Sequence, residues 1–147
     1  MITDGRIIGV EVAEIVHQIE AKARRIARDN DQEMYFPPHP QDFPTRQSRK
    51  ELPQYMLRGG RPWIGSEPEL SFAELACSLI TKKSKKHPHY VASDASLLLV
   101  YKNTAMPFSE ERFRESGACE KISACAQVHR DKYERVAIWM GQNLRVF

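Results

Sequence analysis

The spacing of apolar positions along the chain changes where its first element ends. From Gly5 to Val12, Ile8, Val10 and Val12 alternate with Ile7, Gly9 and Glu11, and Ala13 continues the second row. A period of two is that of a strand, whose side chains point alternately to opposite faces. Glu11 therefore falls beside a glycine on a largely apolar ribbon, flanked by Val10 and Val12. A carboxylate placed there needs a cation, a hydrogen-bonding partner or an open cleft, because burying it alone is costly. From Val12 onward, Ile15, Val16, Ile19, Ala23 and Ile26 recur at intervals of three and four, which predicts a helix to about Asp29.

The pattern then stops. Prolines between Phe36 and Pro44 exclude a helix interior, and Gly59-Gly60 marks a turn. Residues 31–69 read as an irregular proline- and arginine-containing insertion, with a short helix near Glu51 to Leu57. Ser71 and Glu74 have capping-box spacing, and Leu70 with Leu75 has that of a hydrophobic staple. They open a helix with Phe72, Leu75, Ala76, Leu79 and Ile80 on one stripe, ending before Pro88. Leu97 to Tyr101 is apolar on both faces, as a covered central strand is. Ser109 is the N-cap of a helix from Glu110, which Gly117 weakens. A second helical piece follows from Ala118 to about Val128, with Ile122, Cys125 and Ala126 inward. Val136 to Met140 and Leu144 to Phe147 are strands joined by a turn at Gly141. Apolar strands separated by amphipathic helices predict an α/β fold: one domain over residues 1–147, a mixed central sheet covered by helices.

Composition changes this picture little. A chain of 147 residues with 41% hydrophobic and 28% charged side chains is long enough for a real core. Met1 leads directly into Thr3 and Asp4, so no secretory leader is expected, and Leu97 to Tyr101 is too short to cross a bilayer. Cys77, Cys119 and Cys125 lack metal-site spacing and fit free thiols in a reducing cytoplasm. Cys77, near a buried stripe, reads as a core thiol rather than a nucleophile.

Charge changes it more. The net charge is only +3, but Arg46, Arg49, Lys50, Arg58 and Arg61 form one basic run. Lys82, Lys83, Lys85 and Lys86 form another, followed by His87 and His89. Such runs suit phosphate groups; the alternative is a solvated surface. No pattern in the chain fixes an oligomeric state.

No P-loop, dinucleotide fingerprint or HExxH is present, and no serine has nucleophile-elbow context. What remains is an acid on a strand with lysines that continue the packed face of a helix. Glu11 is the central acid, with Asp4 before the strand and Glu14 after it. Oxygens of this kind suit a hard divalent cation, which can orient water and neutralise charge during phosphodiester cleavage. A nearby lysine stabilises the same charge.

GRIIGVEVAEIV, the lysine-rich KKSKKHPHY and the strand SLLLVY together resemble the core of divergent PD-(D/E)XK nucleases. The resemblance covers the first strand and residues 70–101, with the last helix and strand agreeing only in order. It implies a restriction-endonuclease-like core, a magnesium or manganese ion, and DNA as substrate. Glu11 matches the acidic member of the D/E-x-K pair, while the motif's lysine falls on Ala13. In members whose lysine has moved to the following helix, Lys82, Lys83 or Lys86 takes that place as a catalytic residue. Glu11, Asp4 and Glu14 are then the candidate metal ligands, and Arg46, Arg49, Arg58, Arg61 and Lys85 the nucleic-acid contacts. The family's upstream aspartate belongs on a strand before Gly5, where only Met1 to Asp4 stand. This leaves a core truncated at its N-terminus or one that has lost its catalytic machinery. The alternative is a non-catalytic domain binding nucleic acid, or a protein partner through the proline-rich segment.

Overall fold

The computed structural model of the chain describes residues 2–3, 5–16, 18–32, 61–87, 93–103 and 109–147. Among these the elements are β1 (Ile2–Thr3), β2 (Arg6–Ile15), α1 (Gln18–Asp29), α2 (Glu67–Ser84) and β3 (Ala95–Lys102). They continue with α3 (Glu110–Glu115), α4 (Ala118–Val128), β4 (Arg135–Met140) and β5 (Asn143–Val146). The chain forms two compact units, one of Met1–Ile15 with Gly65–Phe147, the other of Val16–Ile64. No helix of the described residues is long and apolar enough to cross a membrane.

In the larger unit the strands lie in the order β1-β2-β3-β4-β5. β2, β3 and β4 are parallel; β5 returns antiparallel on β4, and the two-residue β1 antiparallel on β2. The fold is thus α/β, with a four-strand mixed sheet extended at one edge by β1. Ile8 to Ile15 pair in unbroken register with Ala95 to Lys102, which makes β3 central as its doubly apolar sequence predicts.

This ladder corrects the first boundary. Val12 to Ile15 satisfy a helical period as well as a strand period, yet they belong to β2. Eight consecutive pairs with β3 and the β-branched Val10, Val12 and Ile15 outweigh a helix that has no tertiary face there. α1 begins only at Gln18 and ends at Asp29, where the polar run predicts its end. Asn30 donates its side-chain amide to the Ile26 carbonyl at 2.7 Å, and Asp31 takes a left-handed conformation that turns the chain out of the helix.

α2 also begins earlier than its capping-box spacing suggests. Pro68 sits in its first turn, where a missing N–H costs nothing, and Ser66 stands before it without a side-chain cap bond. Ser71 and Glu74 therefore lie inside the helix. The buried stripe is Phe72, Ala73, Ala76 and Ile80, while Leu75 and Leu79 are half-buried. Ser109 does cap α3, its hydroxyl accepting from Arg112 N at 3.2 Å. Gly117, at φ 77°, breaks α3 from α4 in a conformation that glycine adopts freely.

α2 and α4 pack against each other, so the two helices lie on the same face of the sheet. Beneath them sit Ala13 and Ile15 of β2, Leu98 and Val100 of β3, and Val136 and Ile138 of β4, all buried. Phe72 meets Phe113 edge-on at 5.9 Å, and Ile122 and Ala126 complete the layer. The opposite sheet face is apolar as well, but Val12, Trp139, Leu144 and Val146 remain more than half exposed there.

Candidate functional site

Glu11 points to the helical side of the sheet, in the row Glu11, Leu98, Val136. Two residues earlier Gly9 pairs with Ser96, and a Cβ on Gly9 would stand 3.0 Å from Ser93 Oγ. The missing side chain lets Ser93 close over the strand beside Glu11. Ser93 and Ser96 hydroxyls lie 3.4 Å apart. Asp94 ties this turn to β2: Ile7 N donates to its Oδ2 at 2.7 Å, and Asp94 N donates to the Ile7 carbonyl at 2.9 Å. The start of the parallel pair is thus a polar cluster at the edge of an otherwise apolar layer.

Lys83 enters from above. It stands three residues after buried Ile80 and therefore on the sheet-facing side of the last turn of α2. Its Nζ donates to Glu11 Oε1 at 2.7 Å, with the two side chains 27% and 10% exposed. The second oxygen, Oε2, accepts from the Tyr133 hydroxyl, whose ring is buried just before β4. His87 packs edge-on against the same ring, with centroids 4.9 Å apart. Ser84, buried next to Lys83, returns its hydroxyl to the Ile80 carbonyl at 2.8 Å and holds the end of the helix.

The structure sorts the expected site residues accordingly. Of the three candidate lysines, Lys83 meets Glu11. Lys82 and Lys86 are exposed: Lys82, one position earlier on the helix, turns away from the sheet, and Lys86 lies beyond the helix, which ends at Ser84. Lys82 instead lines a shallow groove with Cys77, Ser78, Thr81 and Lys85. Glu14 does not stand beside Glu11. Three residues along a strand reverses the face, and Glu14 accepts from Asn103 on the far side of the sheet. There, partial burial and then the charge of Glu14 raise the Tyr101 hydroxyl pKa above its ordinary value. Asp4, Arg46, Arg49 and Arg58 lie outside the described residues. Arg61 belongs to the smaller unit, where it donates to the Pro62 carbonyl at 3.2 Å.

Among the described residues no group of three His, Cys, Asp or Glu side chains is placed to hold a metal. Among the described residues Glu11 alone supplies a carboxylate here, and protein donors engage both its oxygens. This set does not fit a resident magnesium ion. What the arrangement does provide is a fixed ammonium. A lysine carries three N–H donors, and Glu11 holds one of them, leaving Lys83 oriented and part-exposed at the surface.

Other cations are exposed near the same helix ends. Thr81 Oγ1 lies 3.2 Å from His129 Nε2, which brings the C-terminal ends of α2 and α4 together. Lys82, Lys85 and Lys86 on one side and Arg130 on the other are all exposed. Two helix C-termini, each partially negative, favour cations at this end. The thiols take no part. Cys77 is half-buried rather than part of the core, and burial first, and then the neighbouring Cys125, push its pKa up to about 12.

Tyr133 and His87 are the residues of this centre that sequence reasoning missed. His87 was visible only as part of a basic run. Tyr133 lies 122 positions from Glu11, in a turn without periodicity. Its one signal is an aromatic ring with a hydroxyl immediately before an apolar strand. No family model, curated protein or solved structure matches the chain.

Proposed function

We propose that this chain is a DNA-backbone-binding relative of the PD-(D/E)XK nucleases, with a degenerate restriction-endonuclease-like core that keeps the acid–lysine centre as an ion pair. The observation that carries this reading is the 2.7 Å contact of Lys83 Nζ with Glu11 Oε1. An acid from the first long strand and a lysine from the covering helix meet, as the resemblance implies. Glu11 positions Lys83, and the remaining ammonium donors face a phosphate oxygen. Lys82, Lys85, Lys86 and Arg130 add the sequence-independent attraction that a polyanion requires.

A competent nuclease is the second reading, favoured by the same convergence. It needs magnesium or manganese at Glu11 and further oxygens from residues such as Asp4, which lies outside the described set. It also needs the carboxylate to exchange its bond to Lys83 or Tyr133 for the metal.

One experiment separates the two. Duplex and single-stranded DNA are titrated at rising salt, and labelled DNA is incubated with magnesium or manganese using wild type and Glu11→Gln. The expected result is binding that weakens steeply with salt and DNA that stays intact. Metal-dependent cleavage lost in Glu11→Gln establishes the nuclease instead. No complex with either DNA at low salt overturns both and leaves a protein-interaction domain.

A further inference from the structure

The sheet face away from α2 and α4 carries a continuous apolar row, Val12, Leu99, Ala137 and Val146, running across four strands. Val12 and Val146 at the two ends of this row are 57% and 58% exposed, with Leu99 half-buried and Ala137 buried between them, and Trp139 and Leu144 beside it are 52% and 59% exposed. Monomers rarely leave a contiguous apolar patch beyond a few hundred Å² in water. We propose that this face is an interface with a second copy of the same chain, the two sheets stacked face to face about a two-fold axis.

Charge placement selects the occupant. Glu14 closes one end of the row of pairs Glu14, Tyr101, Trp139 and Leu144. Arg135 closes the row Val10, Leu97, Arg135 at the opposite end of the strands and two strands away. Both project on this face, at diagonally opposite corners. Two strand spacings and four residues of rise separate them by about 10 Å across and about 13 Å along. A two-fold axis in the plane of the sheet, bisecting the line between them, lays Glu14 of each copy over Arg135 of the other. The patch is then its own complement, which an isologous dimer requires. The same operation crosses the two sets of strands at roughly a right angle, one of the two stable ways of packing sheets. A partner of a single charge sign, such as an acidic peptide or an anionic membrane, would satisfy one corner and be repelled at the other.

Sedimentation equilibrium of the full chain tests this. The expected result is a reversible dimer in the wild type. Glu14→Arg or Arg135→Glu alone should raise the dimer dissociation constant about tenfold or more, since each sets like charges together twice. The double exchange should return it towards the wild-type value. Val12→Asp should give monomer with an unchanged circular dichroism spectrum, because the site is already exposed. A wild type that is monomeric at every concentration overturns the proposal, as does a dimer indifferent to Val12→Asp. A dimer that Val12→Asp abolishes but the double exchange fails to restore overturns the two-fold arrangement.

Discussion

Tyr133 donates its hydroxyl to the Glu11 oxygen opposite the one that Lys83 holds. The carboxylate is therefore clamped between a residue of the covering helix and a residue that precedes β4. Removing the donor with Tyr133→Phe keeps the buried ring, and should cost about 1.5–3 kcal/mol, the range for hydrogen bonds to charged groups. Urea denaturation measures it. An unchanged midpoint would remove Tyr133 from the clamp.

Glu11 and Lys83 should also be coupled energetically. Their side chains are mostly buried, so removing either partner leaves the other charge poorly solvated. A double-mutant cycle of Glu11→Gln and Lys83→Met should give a coupling energy of about 1–3 kcal/mol. Additive single effects would show that the contact contributes nothing to folding.

The buried stripe of α2 sets a third expectation. Ile80 is fully buried between the helices and the sheet, whereas Leu79 is half-buried. Ile80→Ala should cost about 2–5 kcal/mol through lost burial and a residual cavity, and Leu79→Ala distinctly less. Comparing the two denaturation midpoints checks the orientation of the helix. The reverse order would mean that α2 is rotated about its axis.

Glu69 offers a case of opposite sign. It is fully buried in the first turn of α2, and neither carboxylate oxygen has a hydrogen-bond partner among the described residues. Replacing such a group by an apolar side chain of similar length removes a desolvation penalty. Glu69→Met should stabilise the fold by about 1 kcal/mol or more, read as a higher thermal midpoint. A clear loss of stability would show that the carboxyl group does have a partner.

Cys77 gives the pH-dependent expectation. Its pKa lies at about 12 against an ordinary 9.0, because burial disfavours the thiolate. The unfolded chain loses this proton near pH 9 and the folded chain only near 12. The contribution to stability is complete below pH 9 and declines as pH rises towards 12. At pH 8 alkylation of Cys77 should be roughly a thousandfold slower than that of an ordinary thiol, in proportion to thiolate content. Peptide mapping after iodoacetamide treatment measures the rate. Labelling as fast as a free cysteine would place the thiol in solvent.

The elements with one clear period were legible in the sequence. β3, β4, β5 and the break at Gly117 fall where apolar runs and turn residues put them. The end of β2 was not, because Val12, Ile15 and Val16 fit both periods, and only pairing with a distant strand decides between them. The start of α2 was misplaced for a local reason. Ser71 and Glu74 have the spacing of a cap, but Pro68 opens the helix a turn earlier. Half of the site was legible: a carboxylate on an apolar strand calls for a cation, and a lysine continuing a buried helical stripe supplies it. The other half depends on Tyr133, whose position is set by the closure of the whole sheet and not by any neighbour in sequence.

The bond from Ile7 to Asp94 joins residues 87 positions apart, and the whole β2–β3 ladder shares that separation. In contrast, β4 and β5 meet across a two-residue turn, and α3 and α4 fold within one short stretch. Loop-closure entropy makes the local pieces form early and the parallel pairing late. By this entropy argument the strand that carries Glu11 is the one expected to dock last on β3, and the acid–lysine contact is expected to close with it.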